Sequence, residues 1–125
     1  MGIDYLDMTL RTERAFGIKI SREQSDEFLR DKIAVRDFTT GQWFDFVWKL
    51  RQEQFPDGIE CDRPCFHCGY NLRGLPTVTT CPECGGGSDQ AAAWKAMQRI
   101  YRQLLGKKAR RVGRDAWMVK ELGFS

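Results

Sequence analysis

One histidine in 125 residues, His67, leaves the chain poor in the side chain most often used for proton transfer near neutral pH. His67 has no acid–base partner nearby in the sequence. Paired carboxylates, a nucleophile–base–acid set and a phosphate-cradling glycine loop are also missing, so an enzyme is not expected. Apolar runs stay short of the roughly 18 residues a membrane span needs. Met1-Gly2-Ile3-Asp4 lacks the basic-then-apolar layout of a signal peptide. Gly2 is followed by Ile-Asp-Tyr-Leu, without the hydroxyl residue of a myristoylation signal. These absences make the cytoplasm the expected location and exclude a membrane protein.

What is present describes one folded domain, or a small domain holding a mini-module. Hydrophobic content is 42% and charged content 30%, and four Trp with eight Phe can fill one modest core. The net charge of +3 is unevenly spread. Residues 1–60 hold 9 basic and 12 acidic side chains, 61–90 hold 2 and 3, and 91–125 hold 9 and 2. The basic end includes Lys107, Lys108, Arg110 and Arg111. Such a run marks a nucleic-acid or acidic partner, or simply a solvated loop.

Helical signals divide the chain. Residues 3–16 place Ile3, Leu6 and Leu10 on one stripe, with Gly17 as the terminating cap. Ser21-Arg22-Glu23-Gln24 is a capping box that opens a short second helix at Arg22. Residues 31–38 carry no clear signal. Thr39-Thr40-Gly41-Gln42 is another capping box, opening a helix to about Gln54 with Trp43, Phe44, Val47 and Leu50 inward. Ser88 or Asp89 can cap a last long helix whose inner face is Trp94, Met97, Ile100, Tyr101 and Leu104, closed by Gly106.

Residues 61–87 differ in kind: Cys, Gly and Pro dominate and helical periodicity vanishes. Cys65/Cys68/Gly69 and Cys81/Cys84/Gly85 are two copies of Cys-x-x-Cys-Gly. Two intervening residues let one tight turn aim both sulphurs at a single ion, and the glycine can turn amide donors toward the thiolates. Two such knuckles predict a tetrahedral site of four sulphurs, which suits Zn2+; an iron–sulphur site or disulfides are the alternatives. Four protein thiolates leave the ion no open position, so its role is structural. With four thiolates and a divalent ion the formal charge falls from +3 to +1. Cys61 reads as a spare thiol and His67 as pointing away from the ion. Gly85-Gly86-Gly87 reads as a flexible exit from the second knuckle. The segment resembles a zinc ribbon, and Cys68-Gly-Tyr-Asn-Leu-Arg-Gly-Leu-Pro76 is similar to a bacterial subtype of that fold.

The ends of the chain carry a second resemblance. In Ile100–Gly123, Leu105-Gly106, Val112, Asp115-Ala116 and Val119-x-x-Leu122-Gly123 keep order and spacing. They resemble the first helix and long loop of acyl carrier proteins. Near the start, Ile3-Asp4, Phe16-Gly17-Ile18 and Ile20 are similar to the stretch just after the modified serine in that family, and Thr39–Val47 resembles the opening of its last helix. The resemblance implies a mainly α fold, a circularly permuted carrier-protein-like bundle with a small inserted β zinc ribbon. Residues 1–56 would supply helices two to four, 61–87 the insertion, and 88–125 helix one, completing the bundle. Residues 29–38 have no counterpart. The two chain ends would then meet. Gly2 stands where the family's phosphopantetheine-bearing serine falls and has no hydroxyl, and Ser125 is offset by one position. The expected function is therefore a non-catalytic zinc-binding adaptor or scaffold with a protein partner; a nucleic-acid-binding zinc ribbon and an atypical acyl carrier protein are the alternatives.

Overall fold

Ser21 and Thr39 start two of the helices in the same way. The Ser21 hydroxyl accepts the Gln24 amide hydrogen at 3.1 Å while the Ser21 amide donates to Oε1 of Gln24 at 2.9 Å. Thr39 and Gln42 repeat the exchange at 3.2 and 2.9 Å. Each pair satisfies two amides that a helix start would otherwise leave bare. The computed structural model describes residues 3–32, 36–56, 60–76, 79–109 and 112–124. Their order is α1 (Ile3–Phe16), α2 (Arg22–Arg30), α3 (Thr40–Gln54) and α4 (Gln90–Leu105), then a 3-10 turn over Gly106–Ala109. The class is mainly α, as expected. Gly17 ends α1 at φ +68, and its amide bonds Glu13 O at 2.9 Å. Asp89 caps α4 through Ala92 N–H at 2.9 Å; Ser88 instead bonds both the amide and the carbonyl of Thr79, at 2.8 and 2.9 Å. β structure among the described residues is limited to isolated antiparallel bridges at Thr39↔Trp117, Pro64↔Asn71 and Thr80↔Gly87.

The core gathers Met8 and Phe16 of α1, Phe28 of α2, Phe38, and Trp43, Phe44, Val47 and Leu50 of α3. On α4 the buried face is Ala92, Ala93, Ala96, Met97, Ile100 and Tyr101, with Trp94 and Leu104 only partly covered. Trp43 is fully buried among Phe28, Phe46 and Tyr5, with ring centroids 5.3, 5.3 and 5.6 Å away. α4 packs on both α1 and α3.

The expected stripe on α1 is corrected. Leu6 and Leu10 are 62% and 51% exposed, and the inward face is Met8, Thr12 and Phe16, flanked by Tyr5 and Ala15. The side chain of Ile3 lies outside the described residues. A periodicity count scores Thr12 as polar, but its hydroxyl accepts the Trp43 indole N–H at 3.4 Å, so the helix buries it without an orphaned group.

Residues 36–38, indistinct in the sequence, are an anchor. Asp37 is 1% exposed. Its Oδ1 accepts the amides of Phe38 and Val119 at 2.8 Å each, and its Oδ2 accepts that of Lys120 at 3.1 Å. Around it Met118 N–H donates to Phe38 O, Thr40 N–H to Ala116 O and Gly41 N–H to Arg114 O, at 2.9, 3.0 and 2.9 Å. A Cβ on Gly41 would stand 2.8 Å from Arg114 O, so the close approach requires glycine there. Phe38 also touches Tyr5 (6.4 Å between centroids) and Phe124 (5.7 Å), which puts the two described ends of the chain on one ring. Gly2 and Ser125 lie outside the described residues.

Candidate metal centre

Each knuckle is built by the same pair of backbone bonds. Gly69 N–H donates to Cys65 O at 3.1 Å and Cys65 N–H to Tyr70 O at 2.8 Å; Gly85 N–H donates to Cys81 O at 2.9 Å and Cys81 N–H to Gly86 O at 2.8 Å. Gly69 and Gly85 sit at φ +80 and +76, the left-handed backbone that L side chains rarely adopt. The bridges Pro64↔Asn71 and Thr80↔Gly87 close the two turns at their bases.

The turns face one another and interleave their sulphurs. Cys65 Sγ lies 3.6 Å from Cys84 Sγ, and Cys68 Sγ 3.7 Å from Cys81 Sγ. All four lie within 4.8 Å of one another. Metal–sulphur bonds of ~2.3 Å in a tetrahedron require sulphurs ~3.8 Å apart, whereas a disulfide requires ~2.05 Å. The spacing fits one tetrahedral ion, and all five cysteines are free thiols.

Amides prepare the thiolates. The His67 amide lies 3.4 Å from Cys65 Sγ and the Gly86 amide 3.4 Å from Cys84 Sγ. Burial pushes the Cys65 thiol up, but the amides of Cys68 and His67 outweigh it and bring Cys65 down to about 7. Cys68 receives the Tyr70 amide, which favours its thiolate; burial and the neighbouring sulphurs prevail and push it up to about 12. Cys84 is likewise raised, despite the Gly86 amide. Of these thiols Cys65 is lowered while Cys68 and Cys84 are raised, because neighbouring sulphurs resist sharing several negative charges. A divalent cation removes that resistance.

Cys61 stands outside the cluster of four. His67 is exposed and its ring lies over Gly86, where an added Cβ would stand 2.2 Å from the imidazole Cδ2. Gly86 thus lies against the imidazole, a closeness the Gly-Gly-Gly run does not by itself show.

The centre is tied to the helices at three points. Phe66 enters the main core, 5.1 Å from Phe16 and under the Arg51 guanidinium at 4.4 Å. The Arg99 guanidinium donates to Phe66 O. Pro64 packs on Gly17 so closely that a Cβ there would lie 2.4 Å from its Cδ. Arg63, counted in the sequence only as a charge, is 1% exposed and pins the connection between the knuckles. Its Nη2 donates to Leu72 O and Leu75 O at 2.9 and 2.5 Å, and its Nη1 reaches Pro76 O at 3.5 Å. Of the basic run, Lys107 and Lys108 fall in the 3-10 turn, while their side chains and all of Arg110 and Arg111 lie outside the described residues. Comparison with protein-family models, curated proteins and solved structures gives no match to the chain.

Proposed function

We propose that the chain is a non-catalytic zinc-binding adaptor whose ribbon is a structural staple on a helical scaffold that binds another protein. The observation that carries this reading is the closed set Cys65, Cys68, Cys81 and Cys84, with sulphurs at tetrahedral spacing and no fifth donor gathered with them among the described residues. Four thiolates saturate a zinc ion, so neither water nor substrate has a position on it. Four thiolates also favour zinc over hard cations, and a multi-iron cluster would hold its thiolates farther apart than 4.8 Å.

The scaffold reading is a circularly permuted carrier-protein-like bundle, interrupted between α3 and α4 by the ribbon. Three features support it: the order of the helices, the meeting of Tyr5 and Phe124 on Phe38, and the pairing of residues 114–118 with 38–41. Gly2 in place of the modified serine argues for shape without acyl carriage. No helix among the described residues is long and apolar enough to cross a membrane.

Metal analysis of protein purified without added zinc tests the staple: one equivalent supports it, and a folded, metal-free sample refutes it. Affinity purification from native lysate tests the adaptor, since a stoichiometric protein partner is expected and consistently empty eluates count against it. A second reading, nucleic-acid binding, is favoured by Arg11, Arg14 and Arg99 lining one cleft between α1 and α4. Binding to DNA or RNA that falls steeply with salt would support that reading instead. Carrier activity would add phosphopantetheine to the intact mass after treatment with a transferase; an unchanged mass eliminates it.

A further inference from the structure

We infer that the cleft between the end of α3 and the start of α4 is a binding site for a small oxyanion of the phosphate class, held by Arg51 and the first amides of α4. The cleft encloses about 350 Å³ and is walled by Trp48, Phe55 and Pro56, with Arg51, Arg63 and the α4 start closing it.

Arg51 is 5% exposed, and its guanidinium makes one hydrogen bond among the described residues, Nη1 to Phe16 O at 2.6 Å. Its remaining donors have no acceptor among the described residues, and it forms no ion pair there. Phe66 and Phe55 lie against the guanidinium at 4.4 and 5.6 Å, fixing its place without supplying an oxygen. Arg63, also buried, has no carboxylate partner among the described residues, and its Nε is unpartnered. Burial and then the Arg63 charge bring Arg51 down to about 10, as for two cations sharing a space without a counter-charge.

The helix adds donors. α4 is 16 residues long and opens on this cleft through Ser88, Asp89 and Gln90. Among the described residues lining the cleft Asp89 is the one carboxylate, and its Oδ1 is committed to Ala92 N–H. The Gln90 and Ala91 amides have no intrahelical acceptor, and the helix dipole favours an anion in front of them. Among the described lining residues two guanidiniums stand against one carboxylate, a positive balance. The aromatic walls lower the local dielectric on one side, which strengthens the attraction. The volume exceeds what a bare phosphate fills, so a phosphate ester with a small apolar body fits Trp48 and Phe55 better than the free ion.

The zinc-loaded full chain, titrated with inorganic phosphate and with phenyl phosphate while backbone amides are followed by NMR, tests the site. Saturable shifts of Gln90 and Ala91 are expected with both probes, with phenyl phosphate about tenfold tighter because it also covers the aromatic walls. Gln52→Glu puts a negative charge on an exposed position of the cleft, leaves the core untouched, and should weaken both probes about fivefold. Arg51→Gln should abolish saturation. Unmoved Gln90 and Ala91 amides, shifts confined to the Arg11, Arg14 and Arg99 cleft, or Gln52→Glu affinity equal to wild type would each overturn the proposal.

Discussion

The helical bundle and the cysteine segment proposed above to be a zinc ribbon solve the same problem with different means. In the bundle, apolar side chains from every helix meet in one cluster, and burying each is worth roughly 1.5–3 kcal/mol. In the ribbon the buried cluster is Cys65, Leu72 and Cys81, with Leu75 beside it. Two of its three buried members, Cys65 and Cys81, belong to the group of four cysteines that could hold an ion. The ribbon's hydrophobic centre and its candidate metal site are thus nearly the same atoms, and on the proposed reading an ion supplies the stability that so little apolar burial does not. Among the described residues of the ribbon, Phe66 is the side chain that joins the main cluster, so it links the stability of the two regions.

The sharpest way to break this comparison is to remove the metal. Cys81→Ser, or a chelator, should abolish tight zinc binding, worth roughly 10–16 kcal/mol in comparable sites. Amide protection should be lost in the ribbon while most far-UV helical signal persists. Loss of both together would show that the bundle depends on the ion as well. Lowering the pH should act in the same direction. In the metal-free fold the raised Cys68 and Cys84 oppose Cys65 at high pH; Cys65 is lowered, to about 7, and its contribution to stability is lost as pH falls through that value. Below that, protons compete at all four sulphurs, and competition titrations should show zinc affinity falling by up to about four decades per pH unit.

Substitution in the bundle core should give the mirror image. Trp43→Ala should cost about 3–5 kcal/mol in denaturant unfolding while zinc stoichiometry stays unchanged. Phe66→Ala, expected to cost about 3 kcal/mol, should lower both helical stability and zinc retention, because it removes the joint. If it affects only one, the two regions are energetically separate. Asp37→Ala removes three amide bonds from a buried carboxylate and should cost about 2–3 kcal/mol, read as faster hydrogen exchange at Val119 and Lys120, with no effect on the metal.

The capping boxes at Ser21 and Thr39, the stop at Gly17 and the two knuckles were legible because each depends on residues within a few positions of one another. The α1 stripe was misassigned for the opposite reason. Thr12 is buried through Trp43, 31 positions away, and that partner is invisible to local periodicity. Asp37 fell in a stretch without a pattern, and its amide partners Val119 and Lys120 lie 82 and 83 positions on. In the sequence Arg63 is only one of two basic residues in 61–90, yet carbonyls 9 to 13 residues later remove it from solvent.

The amino-acid sequence alone determined where helices begin and which four sulphurs gather, since hydrogen-bonded caps and Cys-x-x-Cys-Gly turns are set by neighbours along the chain. Only the tertiary structure decided which face of α1 is inside, that Phe66 welds the ribbon to the bundle, and that Phe38 receives both described ends. Those outcomes depend on contacts between residues distant along the chain, whose energies exist only once the chain has closed on itself.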